Sequence, residues 1–225
     1  MWRVPRIWGD GDCFILGGGP SLTEIFDIPS EVVLAVTGGK APLSEYSPFL
    51  SPLHNKHTIA INGAYKLGLW VDVCFFGDNS WYLSNRQALA SWPKLKVSCA
   101  PWFASRTNHE AIKYLGKDPK RLGISTDRTK LCWGHHSGCA AISLAAHLGA
   151  KRIYLIGFDM RLSHEGKSHC HFEYRNASKR PPFRIHLRAY PAIAEDARKM
   201  GITLINLSPN SAIKEIPFGR PPWKS

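Results

Sequence analysis

Five short polar clusters in this chain each follow an apolar run, and their residue types are those that hold phosphates, sugars and protons. Gly17-Gly18-Gly19-Pro20-Ser21 follows Cys13–Leu16, and Asn62-Gly63 follows Thr58–Ile61. Gly77-Asp78-Asn79-Ser80 follows Val71–Phe76, and Gly157-Phe158-Asp159 follows Arg152–Ile156. The last cluster, Asn206 to Ser211, follows Ile202–Ile205 and holds Ser208, Asn210 and Ser211. Glycine lets a backbone approach a ligand closely, while carboxamides and hydroxyls both donate and accept hydrogen bonds; the competing reading is that such residues simply make turns. The glycine turn opens a helix at Ser21, where free backbone N–H groups can hold a phosphate or carboxylate. No Gly-Lys-Ser/Thr follows, so it is not a Walker loop. Nor is it a dinucleotide fingerprint, since the third glycine is missing and the run Val32–Val36 ends in Thr37-Gly38-Gly39-Lys40 rather than an acid, which argues against a nicotinamide cofactor. Lys40 is either a phosphate contact or an ordinary solvated lysine.

Proton transfer and charge stabilisation have candidates of their own. From Met160 to Arg188 the chain carries Arg161, Lys167, Arg175, Lys179, Arg180, Arg184 and Arg188 against only Glu165 and Glu173, a long basic loop that reads as a lid or binding loop. His164, His169, His171 and His186 lie in it or at its end. Imidazole titrates near neutrality, so a loop histidine facing the sheet edge is the best placed general base or acid. His169 and His171 lead because they follow Gly157-Phe158-Asp159; His186 comes third. Asp78 and Asp159 each end an apolar run, where a divalent metal on a diphosphate would find a ligand, with helix capping and ribose binding as competing roles. His135-His136 and His169-Cys170-His171 lack finger-like spacing, which argues against zinc. Ser21 is outside any Gly-x-Ser-x-Gly elbow, so a serine hydrolase reading fails.

Something must carry these clusters to one place. Helical patterns alternate with the apolar runs: Ser80–Ser91 behind a capping serine, the Ala-rich Ser137–Leu148 closing at Gly149, and Ile185–Met200 closing at Gly201. Val32–Val36 and Leu95–Ser98 complete the strand candidates. This alternation predicts an α/β three-layer, Rossmann-like domain over residues 1–216 with a mostly parallel sheet, followed by an extended Pro-rich tail at 217–225. In such sheets ligands bind outside the carboxyl ends of the strands.

Composition bounds the partners. Of 225 residues, 29 are Lys or Arg and 17 Asp or Glu, and the formal charge of +12 favours an anionic partner: nucleic acid, a nucleotide or a phosphorylated metabolite. Hydrophobic residues at 44% permit a continuous core and exclude a disordered tail or a collagen. No run approaches the roughly 18 apolar residues of a membrane span, and the first residues lack an apolar signal core, so a cytoplasmic location is expected. Six cysteines without a CxxC pair read as reduced core thiols.

Taken in order, Phe14-Ile-Leu-Gly-Gly-Gly-Pro-Ser-Leu22, Ala60-Ile-Asn-Gly63, Phe75-Phe-Gly-Asp-Asn79, Ser137-Gly138 opening an Ala-rich helix, Ile153-Tyr-Leu-Ile-Gly-Phe-Asp159 and Leu207-Ser-Pro-Asn-Ser211 resemble the bacterial single-domain sialyltransferases. They equally resemble the wider group that includes phage-encoded proteins of unassigned role and archaeal hydroxymethyl-dihydropterin pyrophosphokinases. The resemblance implies a Rossmann-like sheet of the variant GT-A type whose edge binds a nucleotide-activated donor, with Gly17 to Ser21 near phosphate and sugar. It places Asn62, Asp78, Asn79 and Ser137 in the donor pocket, with Gly138, Ser208, Asn210 and Ser211 in the same motifs, and makes a loop histidine the base on an acceptor hydroxyl; in the sialyltransferases this needs no metal. Gly18 stands where those enzymes usually carry Asn, and Met160-Arg161-Leu162 lacks the tyrosines that hold their donor phosphate. Arg161, Lys167 and the other loop cations Arg175, Lys179, Arg180 and Arg184 can supply the replacement charge.

The leading expectation is a glycosyltransferase moving a sugar from a nucleotide-sugar donor to an acceptor hydroxyl, for example a hydroxymethylated base in phage DNA, with Asp159 and a loop histidine at the reacting centre. Trp81, Tyr82, Trp102, Phe103 and Trp133 would then either stack a flipped base or pack in the core. One alternative is pyrophosphoryl transfer from ATP, with Mg²⁺ at Asp78 or Asp159. Another is a nucleic-acid-binding module without catalysis.

Overall fold

Along a strand buried on both sides, successive side chains enter opposite layers. In β1 (Asp12–Leu16), Cys13 and Ile15 join one apolar cluster while Phe14 and Leu16 join the other. Such strands need parallel neighbours covered by helices. The computed structural model, which describes residues 2–104, 111–164, 166–171 and 182–224, has that arrangement. After β1 come α1 (Ser21–Ile25), α2 (Ser30–Thr37), β2 (His57–Ile61), β3 (Val73–Phe76), α3 (Asn79–Ser91), β4 (Leu95–Ser98) and β5 (Ile112–Tyr114). A short pair, β6 (Gly116–Lys117) and β7 (Lys130–Leu131), precedes α4 (Ser137–Leu148), β8 (Arg152–Ile156), α5 (Phe183–Leu187), α6 (Tyr190–Lys199) and β9 (Thr203–Asn206).

The seven-stranded sheet runs β5-β4-β3-β2-β1-β8-β9 with every pairing parallel. From β1 the chain winds outward to β5, then returns to the other side of β1 as β8 and β9. At that reversal the loops after β1 and β8 diverge, and a crevice opens between them. Register fixes its floor: Leu16 is level with both Ile156 and Ala60, so Gly17, Gly157 and Ile61 emerge side by side. Helix α4, buried along its whole length, packs on β1, β2 and β3 on one face, while α1, α2 and a 3₁₀ segment at Leu43–Leu53 cover the other. Gly149 closes α4 in the left-handed region, at φ 105°.

Four expectations are corrected. Val32–Val36 is not a strand: it lies in α2, where Pro29 and Glu31 supply helix-start signals and only Val36 is buried, so an amphipathic surface position overrides the β preference of valine. The Thr37-Gly38-Gly39-Lys40 turn is therefore away from the sheet edge, and Lys40 is an exposed lysine. Ile185–Met200 is two helices, because Pro191 in the first turn of α6 cannot continue a helix from upstream. Helix α3 begins at Asn79 with Asp78 at its N-cap position, one residue before the expected cap Ser80. The tail is extended but docked: Asn206 N–H donates to Pro217, Gly219 N–H donates to Asn206, and Trp223 stacks on Phe26 at 5.0 Å. All six cysteines are buried and free.

Candidate active site

The crevice between the β1 and β8 loops holds a cleft of about 430 Å³. Gly17, Gly18 and Gly19 line it from β1, Asn62 from β2, Asp78 from β3, Ser137 and Gly138 from α4, and Asp159 and Arg161 from β8. His169, His171 and His186 line it as well, so four strand ends, a helix N-terminus and the basic loop converge. Residues that sequence reasoning did not assign here include Trp133, Ser168, Pro182 and Phe183. Trp133 was legible only as one aromatic among several; its role in the wall depends on Gly77, whose Cβ would lie 1.9 Å from the Trp133 ring.

Backbone packing dictates the glycines of the turn. A Cβ on Gly17 would meet the Gly157 carbonyl oxygen at 2.7 Å, and one on Gly19 would meet Asp159 Oδ2 at 2.0 Å and the Gly157 oxygen at 2.5 Å. Gly157 itself stands at φ 70°, so it too favours glycine. Asp159 then ties the two loops: its Oδ1 accepts from Ser21 N–H at 3.2 Å and its Oδ2 accepts from the Ser21 hydroxyl at 2.9 Å. Burial raises its pKa, while the Ser21 hydrogen bonds act against the rise. Asp159 thus caps α1 from outside the helix, the capping role weighed above against metal ligation, and each of its oxygens is already engaged. Asp78 is also raised by desolvation, with Lys117 pulling it down. Among the described residues no three His, Cys, Asp or Glu side chains are grouped to hold a metal ion.

Alternation also explains His169-Cys170-His171. Cys170 is anchored by its own N–H to the Gly18 oxygen at 2.8 Å and by Tyr46, whose hydroxyl donates to the Cys170 oxygen at 2.9 Å. Its thiol enters the core, so both flanking imidazoles turn to the cleft. They occupy the space of a missing side chain: a Cβ on Gly18 would lie 3.2 Å from both His169 Cδ2 and His171 Nε2. The departure at Gly18 and the two histidines are one packing solution. On the α4 side, His136 and His186 face each other with ring centroids 4.5 Å apart. His169 is pushed down to about 4 by burial and then by His171, His136 to about 3 by burial and then by His186 and His135, and His186 is lowered by burial and His135.

These shifts set a pH dependence of stability. Between the ordinary value near 6.5 and those lowered values the unfolded chain binds protons that the folded one does not, so stability is lost as pH falls, by about 1.4 kcal/mol per unit for each proton. Asp159, raised, works in the opposite direction, over the carboxylate range. Melting temperatures are expected to fall from pH 7 through pH 6 to pH 5; equal melting temperatures across that window would contradict the buried neutral histidines.

Several sequence candidates lie outside the cleft lining. Ser208 accepts from Phe158 N–H at 2.8 Å and Ser211 donates to the Phe158 oxygen at 2.7 Å, so both buttress the Gly157–Asp159 turn from behind. Asn210 is an exposed turn residue at φ 55°. Asn79 accepts from Trp102 N–H at 3.2 Å, and Pro20 is the N-cap residue of α1. Lys167 N–H donates to the Ser163 hydroxyl, and Arg184 is exposed on α5. Arg175, Lys179 and Arg180 lie outside the described residues. Of the five aromatics weighed for base stacking, Tyr82, Trp102 and Phe103 interlock at 4.8–5.4 Å and Trp81 packs on Phe76 at 5.0 Å, leaving Trp133 in the cleft.

No protein-family model matches the chain, and no curated protein matches its sequence. Among solved structures it is similar to the sialyltransferase CstII from Campylobacter jejuni in complex with a substrate analogue, cytidine-5'-monophosphate, at 14% identity and a TM-score of 0.53 over 95% of this chain and 86% of that one. A variant of CST-II in complex with CMP is similar at 14% identity and a TM-score of 0.53, covering 96% of this chain and 88% of that one. The MAf glycosyltransferase from Magnetospirillum magneticum AMB-1 is similar at 14% identity and a TM-score of 0.60, covering 96% of this chain but 34% of that one. At such identities the likeness establishes the fold: a mostly parallel α/β sheet shared with glycosyltransferases.

Proposed function

We propose that the chain is a glycosyltransferase that moves a sugar from a nucleotide-sugar donor to an acceptor hydroxyl. One observation carries the reading: the Gly17–Gly19 turn, Asn62, Asp78, Ser137, Arg161 and three loop histidines share a single cleft at the reversal point of the sheet. The likeness to a CMP-bound sialyltransferase supports it. The glycine turn and Arg161 hold the donor phosphate and stabilise its departure. His169 and His171 pack on Gly18, beside that phosphate, whereas the half-buried His186 projects from α5 and is the better placed base. His186 takes the acceptor proton as the hydroxyl oxygen attacks the anomeric carbon, and the bond from that carbon to the phosphate oxygen breaks with its electron pair leaving on the nucleotide. No metal is required, because the phosphate charge is met by Arg161 and N–H groups.

The acceptor in this reading is anionic, with a nucleic acid carrying a hydroxymethylated base as the specific candidate. Arg161, Arg184 and Arg188 are exposed, and none of them forms an ion pair among the described residues. Binding to DNA is expected to weaken steeply with salt; a flat response removes this acceptor and leaves the transferase standing. Donor class is tested by thermal shifts with CMP, UDP, GDP and ATP, each with and without Mg²⁺. A metal-independent shift with one nucleoside mono- or diphosphate is expected, about 2.7 kcal/mol of stabilisation at 100 times the Kd. A shift confined to ATP with Mg²⁺ contradicts glycosyl transfer and favours pyrophosphoryl transfer.

A further inference from the structure

We infer that His136 is a positioning residue for His186: it is locked into the first turn of α4, and its ring is the shelf that holds the His186 ring at the cleft. The consequence for turnover rests on the glycosyltransferase reading; the shelf itself does not.

Both nitrogens of His136 are committed close by in sequence. Nδ1 accepts from Gly138 N–H at 3.1 Å, so that nitrogen carries no proton. The proton of the neutral ring is therefore on Nε2, which lies 2.8 Å from Cys139 Sγ. Burial keeps the Cys139 thiol protonated. The ring lies across Gly138, where a Cβ would meet its Cε1 at 2.8 Å and its Nδ1 at 2.9 Å. Held in this way, one side of the ring packs toward His186, with centroids 4.5 Å apart and planes at 35°, and Tyr190 of α6 is 5.7 Å away. A ring whose two nitrogens are so engaged cannot exchange a proton with an acceptor without uncapping α4. It contributes orientation, and His186 is left as the partner free to exchange. Helix α5, only five residues long and carrying His186, gains a fixed surface on the much longer α4.

Two substitutions separate the shelf from the cap. His136→Phe keeps a ring against His186 and loses the cap; His136→Asn keeps a good N-cap and loses the ring. The Phe variant is expected to melt lower yet keep kcat within about threefold, while the Asn variant loses about tenfold or more in kcat with donor KM within about twofold. Equal loss in both variants, or full kcat in the Asn variant, overturns the inference. A readout independent of turnover is the NMR signal of the His186 ring in the whole protein. In the wild type it is expected to show a nuclear Overhauser contact to the His136 ring and an upfield ring-current shift, retained in the Phe variant and absent in the Asn variant. Absence of the wild-type contact overturns the shelf even if the variants fail to fold. A shelf seen by NMR in a protein with no turnover rejects the glycosyltransferase reading alone.

Discussion

Alanine at Gly19 is expected to lower the melting temperature by about 5–10 °C and to abolish nucleotide binding. The added Cβ would lie 2.0 Å from Asp159 Oδ2 and 2.5 Å from the Gly157 oxygen, so either the side chain that joins the two loops or the backbone beneath it must move. The backbone has little room: a Cβ at Gly157 would already lie 2.9 Å from the Gly17 oxygen. Overpacking of this kind costs about 1–3 kcal/mol, which at this chain length corresponds to roughly 2–4 °C for each kcal/mol. The functional loss is larger than the stability loss, because displacing Asp159 releases Ser21 and with it the aim of the N–H groups at the start of α1. Thermal melts with and without nucleotide read both effects. A variant that melts with the wild type and still binds nucleotide would show that the turn is more pliable than its packing.

Removing the imidazole of His186 is expected to reduce transfer by about 10²–10⁴-fold, the usual contribution of a positioned general base, with donor affinity little changed. His169→Ala and His171→Ala are expected instead to weaken donor binding, because those rings pack on Gly18 in the glycine turn. The base must be unprotonated to act, and burial together with His135 lowers His186. Activity is therefore expected to stay level below pH 6.5 and to decline only as the pH passes the lowered value. A His186→Ala enzyme with wild-type turnover would transfer the role to another cleft group.

How much of this was legible in the sequence depends on the physical signal. Buried strands such as Arg152–Ile156 and the Ala-rich α4 closing at Gly149 were legible because apolar continuity and a left-handed stop are local properties. Val32–Val36 misled for the same reason: its residues look like a strand locally, and only its half-exposed position makes it a helix. The polar ends of strands marked the cleft, yet Ser208, Ser211 and Asn79 have the same residue types as the lining and serve as buttresses. Their facing depends on tertiary packing that residue type does not encode. Likewise Gly18 reads as a missing carboxamide until His169 and His171 are seen in the vacated space, and Trp133 enters the wall only because Gly77 is bare. The tie between Ser21 and Asp159 spans 138 residues and has no local signature.

The central claim, that this cleft transfers a sugar from a nucleotide, is tested most directly by incubating the protein with CMP-, UDP- and GDP-sugars in the presence of a chelator and measuring the free nucleotide released. The account predicts release from one nucleotide class, undiminished by the chelator and lost in the Gly19→Ala protein. No release from any nucleotide sugar, together with Mg²⁺-dependent formation of AMP from ATP on a hydroxymethyl heterocycle, would contradict it and assign the cleft to pyrophosphoryl transfer.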